Sequence, residues 1–194
     1  MKIIDAPQYG PMFRFTDASV YWALYLLSDG RRVGRKRLSD MIGIGEGSMR
    51  RILNELKEKE FIIIKQTGIT ITKAGLAYLE SIPLRVVDLD VRELVLGDCT
   101  QALLIFGVSD KINNGLQQRD AGIRAGAMGC TTLVMRDGKL YVPPDWCIDD
   151  NMPEVSERIK SNVKMTDDDI IIIGGAENQE VAITAAFTAA FELI

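Results

Sequence analysis

The 194-residue sequence contains no histidine. That excludes every Ser-His or Cys-His triad, every histidine metal ligand and every histidine proton shuttle. Cysteine is nearly as scarce, with Cys99, Cys130 and Cys147 the only three. They are odd in number, far apart and form no CxxC pair. Neither a disulfide framework nor a zinc knuckle is indicated, and each is expected as a small reduced residue, buried or half-buried. No apolar run approaches the ~20 residues needed to span a bilayer. The longest, Val181 to Ile194, carries Glu192 and reads as a buried helix. The opening MKIIDAPQYG lacks the apolar core of a signal peptide. A soluble cytoplasmic protein with no membrane partner is therefore expected. Also absent are GxGxxG, a Walker A loop, HExxH, GxSxG and an EF-hand loop. The sequence thus offers no cofactor, no metal site and no catalytic residue. Asp167-Asp168-Asp169 does not change this, because consecutive residues entering a strand point to alternate faces and do not converge on one ion.

What is present is ample apolar material, 47 % of side chains, against 26 % charged. This is a globular composition. The formal net charge of −4 conceals a split. Residues 1–82 hold 13 Lys+Arg against 9 Asp+Glu, and residues 83–194 hold 10 against 18. A basic first part and an acidic second part suggest two domains with different partners, 1–82 and 83–194, with Pro83 at the boundary.

In the first part Thr16 can cap a helix whose apolar positions Val20, Ala23, Leu24 and Leu27 recur at helical spacing, with Gly30 as its stop. A basic loop follows, then a short helix Leu38–Ile42 with Leu38, Met41 and Ile42 inward. Gly43-Ile44-Gly45 makes a tight turn. A third helix runs from Glu46 to about Lys59 with the stripe Met49, Ile52, Leu53 and Leu56. Phe61–Lys65 and Ile69–Thr72 read as strands around the turn Gln66-Thr67-Gly68. A last helix spans about Lys73 to Ser81.

That order is a winged helix-turn-helix. The stretch LSDMIGIGEGSMRRILNELKEKEFI followed by GITITKAGLAYL resembles the helix-turn-helix and wing of many bacterial and archaeal transcription regulators. In that family the GI-x-x-T-x-x-G segment is the second wing strand leading into the last helix. The whole-chain arrangement resembles archaeal transcription regulators with a C-terminal α/β domain of unknown function. The resemblance implies a double-stranded DNA partner.

The physics of the groove points to particular residues. An α-helix fits the major groove, where exposed side chains reach base edges. With its stripe inward, the third helix exposes Gly47 and Ser48, small enough for close approach, and Arg50, Arg51 and Asn54, which can contact bases or phosphates. Arg31, Arg32, Arg35, Lys36 and Arg37, with Lys65 of the wing, would supply sequence-independent phosphate contacts. Glu55, Glu58 and Glu60 place the far end of the third helix away from DNA.

The second part reads as a small α/β domain (α+β being the other option) with mixed strand directions. Strands are expected at Leu84–Leu89, Ala102–Phe106, Thr131–Met135, Leu140–Val142 and Ile170–Ile173. Asp137-Gly138 is a hairpin turn signal. Helices are expected at Ile112–Ala125, Pro153–Val163 and Glu177–Leu193. Two glycine-bearing strand-to-helix junctions could expose backbone N–H groups to an anion. One carries Ser109, Asp110, Lys111, Asn113 and Asn114; the other carries Gly174 and Gly175. Arg119 is a further ligand candidate, Asp120 and Arg124 can pair at i, i+4, and Trp146 is expected to pack over a core edge.

Together these readings favour a DNA-binding transcription regulator. Its second domain would dimerise the chain, sense a small polar or anionic effector, or both. A homodimer is expected because one winged helix reaches few bases. The apolar face of the last helix or the edge of the 131–142 hairpin would make the contact. Two rivals stand beside this reading: a kinase-like small-molecule enzyme carrying an N-terminal winged helix, and a winged-helix adaptor that binds protein.

Overall fold

A computed structural model describes Ile3 and residues 15–194; the rest of the opening segment, where no signal-peptide core is expected, lies outside the described residues. The chain divides into two compact units, Met1–Ile82 and Pro83–Ile194.

The first unit contains α1 (Asp17–Leu26), α2 (Arg35–Ile42), α3 (Glu46–Glu58), β1 (Ile62–Lys65), β2 (Gly68–Ile71) and α4 (Lys73–Ser81). The α3 stripe Met49, Ile52, Leu53 and Leu56 is fully buried, as are Val20, Ala23, Leu24 and Leu27 from α1 and the residue after it. Each of these side chains larger than alanine contributes roughly 1.5–3 kcal/mol of burial. The turn between α2 and α3 is closed by Gly43 at φ +71° and by the Ser39 hydroxyl, which donates to the Ile44 carbonyl. β1 and β2 pair antiparallel from Ile62 opposite Ile71 to Lys65 opposite Gly68, so the turn is the two residues Gln66 and Thr67. Val33 bridges Ile69 on the outer side of β2. Helix–turn–helix, hairpin and closing helix follow in the expected order.

Two local readings are corrected. α2 begins at Arg35 rather than Leu38, capped by Gly34, because Arg35, Lys36 and Arg37 are good helix formers with nothing to stop them. Met41 is 40 % exposed, and Ser39 takes the inward position beside Leu38 and Ile42.

The second unit contains β3 (Leu84–Val87), β4 (Cys99–Ile105), α5 (Leu116–Arg124), β5 (Gly129–Arg136), β6 (Lys139–Val142), β7 (Trp146–Cys147), α6 (Ile148–Asn151), α7 (Pro153–Asn162), β8 (Ile170–Ala176) and α8 (Gln179–Phe191). Its six-stranded sheet has the order β3-β4-β8-β5-β6-β7. Every neighbouring pair is antiparallel, which corrects the expectation of mixed strand directions. Helices α5 and α8 pack on one face. On the other, Ile171 and Ile173 join Leu89, Val91 and Val95 and the α6–α7 residues Ile148, Val155 and Ile159 in one apolar cluster. With both faces covered, Ile170 to Ile173 form a continuous buried run at the sheet centre. The hairpin turn has φ +50° at Asp137 and +75° at Gly138, the geometry that matches strand twist.

Other boundaries move for identifiable reasons. α5 starts at Leu116, not Ile112, because Gly115 takes φ +73° and the Asn114 carboxamide oxygen accepts from the Leu116 N–H at 3.1 Å. β7 and α6 were not expected. β7 pairs with β6, so the 131–142 hairpin is not a sheet edge. Trp146 lies in this short edge strand and stays exposed, instead of covering the core edge. α8 is buried almost all round, against β4 and β8 on one side and α5 on the other. Its apolar face is satisfied within the chain, so α8 offers no dimer contact, just as β7 covers the hairpin edge that was the other expected one. Asp120 does not pair with Arg124, which reaches Glu192 at 3.1 Å. Among the described residues no helix is long and apolar enough to cross a membrane.

Candidate nucleic-acid interface

A cleft of about 200 Å³ opens in the first unit where α3, the start of α2 and the hairpin meet. Arg50 and Asn54 come from α3, Arg35 from the first turn of α2 and Lys65 from the end of β1. Arg50 and Asn54 stand at i, i+4 and share a helix face. The backbone of Gly34 and Gly68, Leu53, Ile64, Ile69 and Gln66 complete the walls. Among the described residues no acidic side chain lines this cleft. Arg35 approaches Glu46 at 3.9 Å with both side chains largely exposed, a pair of little worth in water. Arg50, Lys36, Arg37 and Lys65 have no acidic partner among the described residues. A concentration of positive charge over a helix that projects polar side chains is the electrostatic footprint of a polyanion site.

The remaining expected residues do not line the cleft. Lys36, Arg37, Gly47 and Arg51 are exposed on α2 and α3, and Ser48 is half-buried. Arg32 is tied to the hairpin turn, its guanidinium donating to the Thr67 hydroxyl at 3.0 Å. Arg31 pairs with Asp29 at 3.3 Å. Sequence reasoning missed Ile64 and Gln66. Their signal is weak, because the run Ile62-Ile63-Ile64 does not say which isoleucine faces the helix. In the fold Ile62 is buried while Ile63 and Ile64 stay exposed.

Neither glycine junction of the second unit presents a set of free backbone donors. In the first, Gly107 N–H donates to the Asp169 carboxylate at 3.2 Å, and Val108 and Ser109 N–H donate to the Asp168 carbonyl. Lys111 donates to the Leu193 carbonyl at 2.6 Å, the Asn114 side chain accepts from the Leu116 N–H, and Asp110 and Asn113 are exposed. The carboxylate of Asp169 also accepts from the Thr166 N–H and hydroxyl. It is thus a turn-holding group, and among the described residues no acidic, cysteine or histidine cluster suits a metal.

The second junction is a misreading of a strand. Gly174 and Gly175 are buried inside β8, paired with β4 and β5. Their glycine identity answers to packing. A Cβ on Gly174 would sit 2.4 Å from the Ala182 carbonyl oxygen of α8, and one on Gly175 2.3 Å from that of Leu96. Helix and loop lie directly on the strand backbone. The three cysteines are all free; Cys99 is half-buried and the other two buried.

Comparison with known proteins adds to this geometry. Residues 21–84 match the model of the CggR N-terminal DNA binding domain. Residues 96–193 match a second model, described as a domain of unknown function, DUF4443. The chain is similar to the solved structure of the hypothetical protein PH0730 from Pyrococcus horikoshii OT3, with TM-score 0.71 and 24 % identity over 93 % of each chain. That likeness concerns the fold. No functionally curated protein matches the chain.

Proposed function

The chain belongs to the DUF4443 family, and from that premise we propose that it is a DNA-binding transcription regulator. The single observation that carries this reading is the cleft: Arg35, Arg50, Asn54 and Lys65 meet there from three elements, with no acid among the described residues of its lining. They do so within the segment similar to a DNA-binding domain. α3 would enter the major groove and read base edges through Arg50, Arg51 and Asn54, with Gly47 and Ser48 allowing close approach. Arg31, Arg32, Lys36, Arg37 and Lys65 would hold phosphates. The order helix–turn–helix, hairpin, closing helix supports a winged helix. The division into residues 1–82 for DNA and 83–194 for sensing or dimerisation belongs to the same proposal. So do a homodimer reading two half-sites, a small-molecule effector and a cytoplasmic location.

The test is fluorescence anisotropy of the full chain on duplex DNA from upstream of its own gene, against a random duplex, at several salt concentrations. The expected log K falls with log salt by roughly 0.9 per phosphate contacted, with tighter binding to the upstream duplex. A flat salt dependence rejects phosphate binding and with it this reading.

A further inference from the structure

The second unit carries a groove of about 430 Å³ beside the start of β5. Its rim is unusual for a water-facing surface. Leu96 is 69 % exposed, Met128 49 % and Ile123 42 %, and all three line the groove. They come from three places: the segment before β4, the approach to β5, and α5. Large apolar side chains left exposed around one concavity mark a binding site more often than chance. Arg119 lies one turn before Ile123 on the same face of α5 and also lines the groove.

The charges around Arg119 make it a receptor. Glu93, the acid of the lining, is already held by Arg158 at 2.7 Å. Arg92 is held by Asp90 at 2.9 Å. Arg119 has no acidic partner among the described residues, although its half of the chain carries 18 acids against 10 bases. An unpaired guanidinium is a fork shaped for a carboxylate.

The walls are preformed. Leu96 lies against the backbone of β8 because Gly175 has no side chain, and Gly97, at φ +131°, has its Cβ position 2.3 Å from the Ala176 nitrogen. The Thr131 hydroxyl donates to the Leu94 carbonyl at 2.7 Å. A backbone wall held in this way lowers the ordering cost of binding. Burial pushes the Cys130 thiol up to about 12, so it stays protonated and takes no part in nucleophilic chemistry.

We infer that this groove binds a small amphipathic carboxylate, with Arg119 on the carboxylate and Leu96, Ile123 and Met128 against its apolar body. The inference deepens the sensing role proposed above and rests on that reading for its regulatory meaning, though not for the binding itself. A volume of this size suits a small molecule.

The experiment titrates the full chain with sodium octanoate, followed by calorimetry and thermal shift, with 1-octanol and sodium acetate in parallel. Octanoate is expected to bind and raise the melting temperature, and acetate is expected to do neither. Arg119→Gln should weaken octanoate roughly tenfold while leaving 1-octanol unchanged. Leu96→Ser should weaken both. No octanoate binding to the folded chain, or equal binding to Arg119→Gln, overturns the assignment. Sedimentation of the same samples covers the competing occupant: if Leu96→Ser dissociates a dimer and octanoate does not bind, the groove is a self-association surface and the proposal fails. Anisotropy on DNA without octanoate separates the two readings. Intact DNA binding without octanoate binding sinks the groove alone; octanoate binding without DNA binding sustains the groove and sinks the regulator.

Discussion

Arg50 and Lys36 are both exposed and both cationic, yet they sit on different elements, and the proposed reading gives them different work. Arg50 lies on the face of α3 that also carries Asn54, whereas Lys36 sits on the first turn of α2. Arg50→Ala should therefore cost about 1–3 kcal/mol on the preferred sequence and relax specificity there, while Lys36→Ala weakens all sequences alike. Competition anisotropy distinguishes them; equal losses on specific and random DNA would mean that α3 is not the reader. Elsewhere a single carboxylate ties two elements. Asp149 accepts from the Leu140 N–H at 2.7 Å and pairs with Lys160 of α7. Desolvation opposes its ionisation, but the bonds from Lys160 and Leu140 prevail and hold it below the usual aspartate range. The folded pKa being the lower, the stabilisation is present above the unfolded pKa and is lost as pH falls through the folded one. Asp149→Asn should thus lower stability at neutral pH and shrink the acid-side decline, as read by denaturant midpoints from neutral pH downward.

At the scale of elements, two glycines serve close packing. Thr72 caps α4 by accepting from the Gly75 N–H at 3.0 Å and donates to the Glu60 carbonyl at 2.7 Å. That brings α4 against the residue preceding β1, where a Cβ on Gly75 would sit 2.3 Å from the Phe61 carbonyl oxygen. The T-x-x-G spacing is explained by this contact. Alanine favours a helix interior over glycine by about 1 kcal/mol, yet Gly75→Ala should lower the unfolding midpoint, because the collision is with backbone; a rise would refute that account. In β8, Gly175→Val should destabilise the chain by about 1–3 kcal/mol or more through the Leu96 carbonyl. Thermal denaturation checks it, and an unchanged melting temperature would mean that the 95–97 segment yields freely.

For the whole molecule, the charge split and the two compact units belong together. Basic residues are concentrated where a polyanion would bind, and acidic ones where none is expected. A reader of two half-sites needs a second copy. Sedimentation of the full chain at micromolar concentration should show a homodimer, with its contact outside α8, whose apolar face is covered within the chain. A monomer at that concentration, with or without DNA, rejects the dimer.

The first unit was legible in sequence because its signals are local. Met49, Ile52, Leu53 and Leu56 state a helical face within three turns, and two short apolar runs around Gln66-Thr67-Gly68 state the hairpin. Arg50 and Asn54 could be named because one helical period decides what faces out, and Lys65 because it is the charged residue beside the hairpin turn. The second unit was legible only as a set of elements. Ile170 to Ile173 announces a buried strand, but its neighbours, β4 and β5, are far away in sequence, and no local signal chooses antiparallel pairing. Gly174 and Gly175 illustrate the limit. A glycine after an apolar run fits both a turn and a strand that another backbone must approach, and only the arrival of Ala182 and Leu96 decides between them. The groove at Arg119 has the same origin, since its rim is drawn from three segments that meet only when the sheet has closed. Period and capping are properties of neighbouring residues, so sequence carried them; strand order, close approach and concavity arise from contacts between distant ones, so tertiary structure decided them.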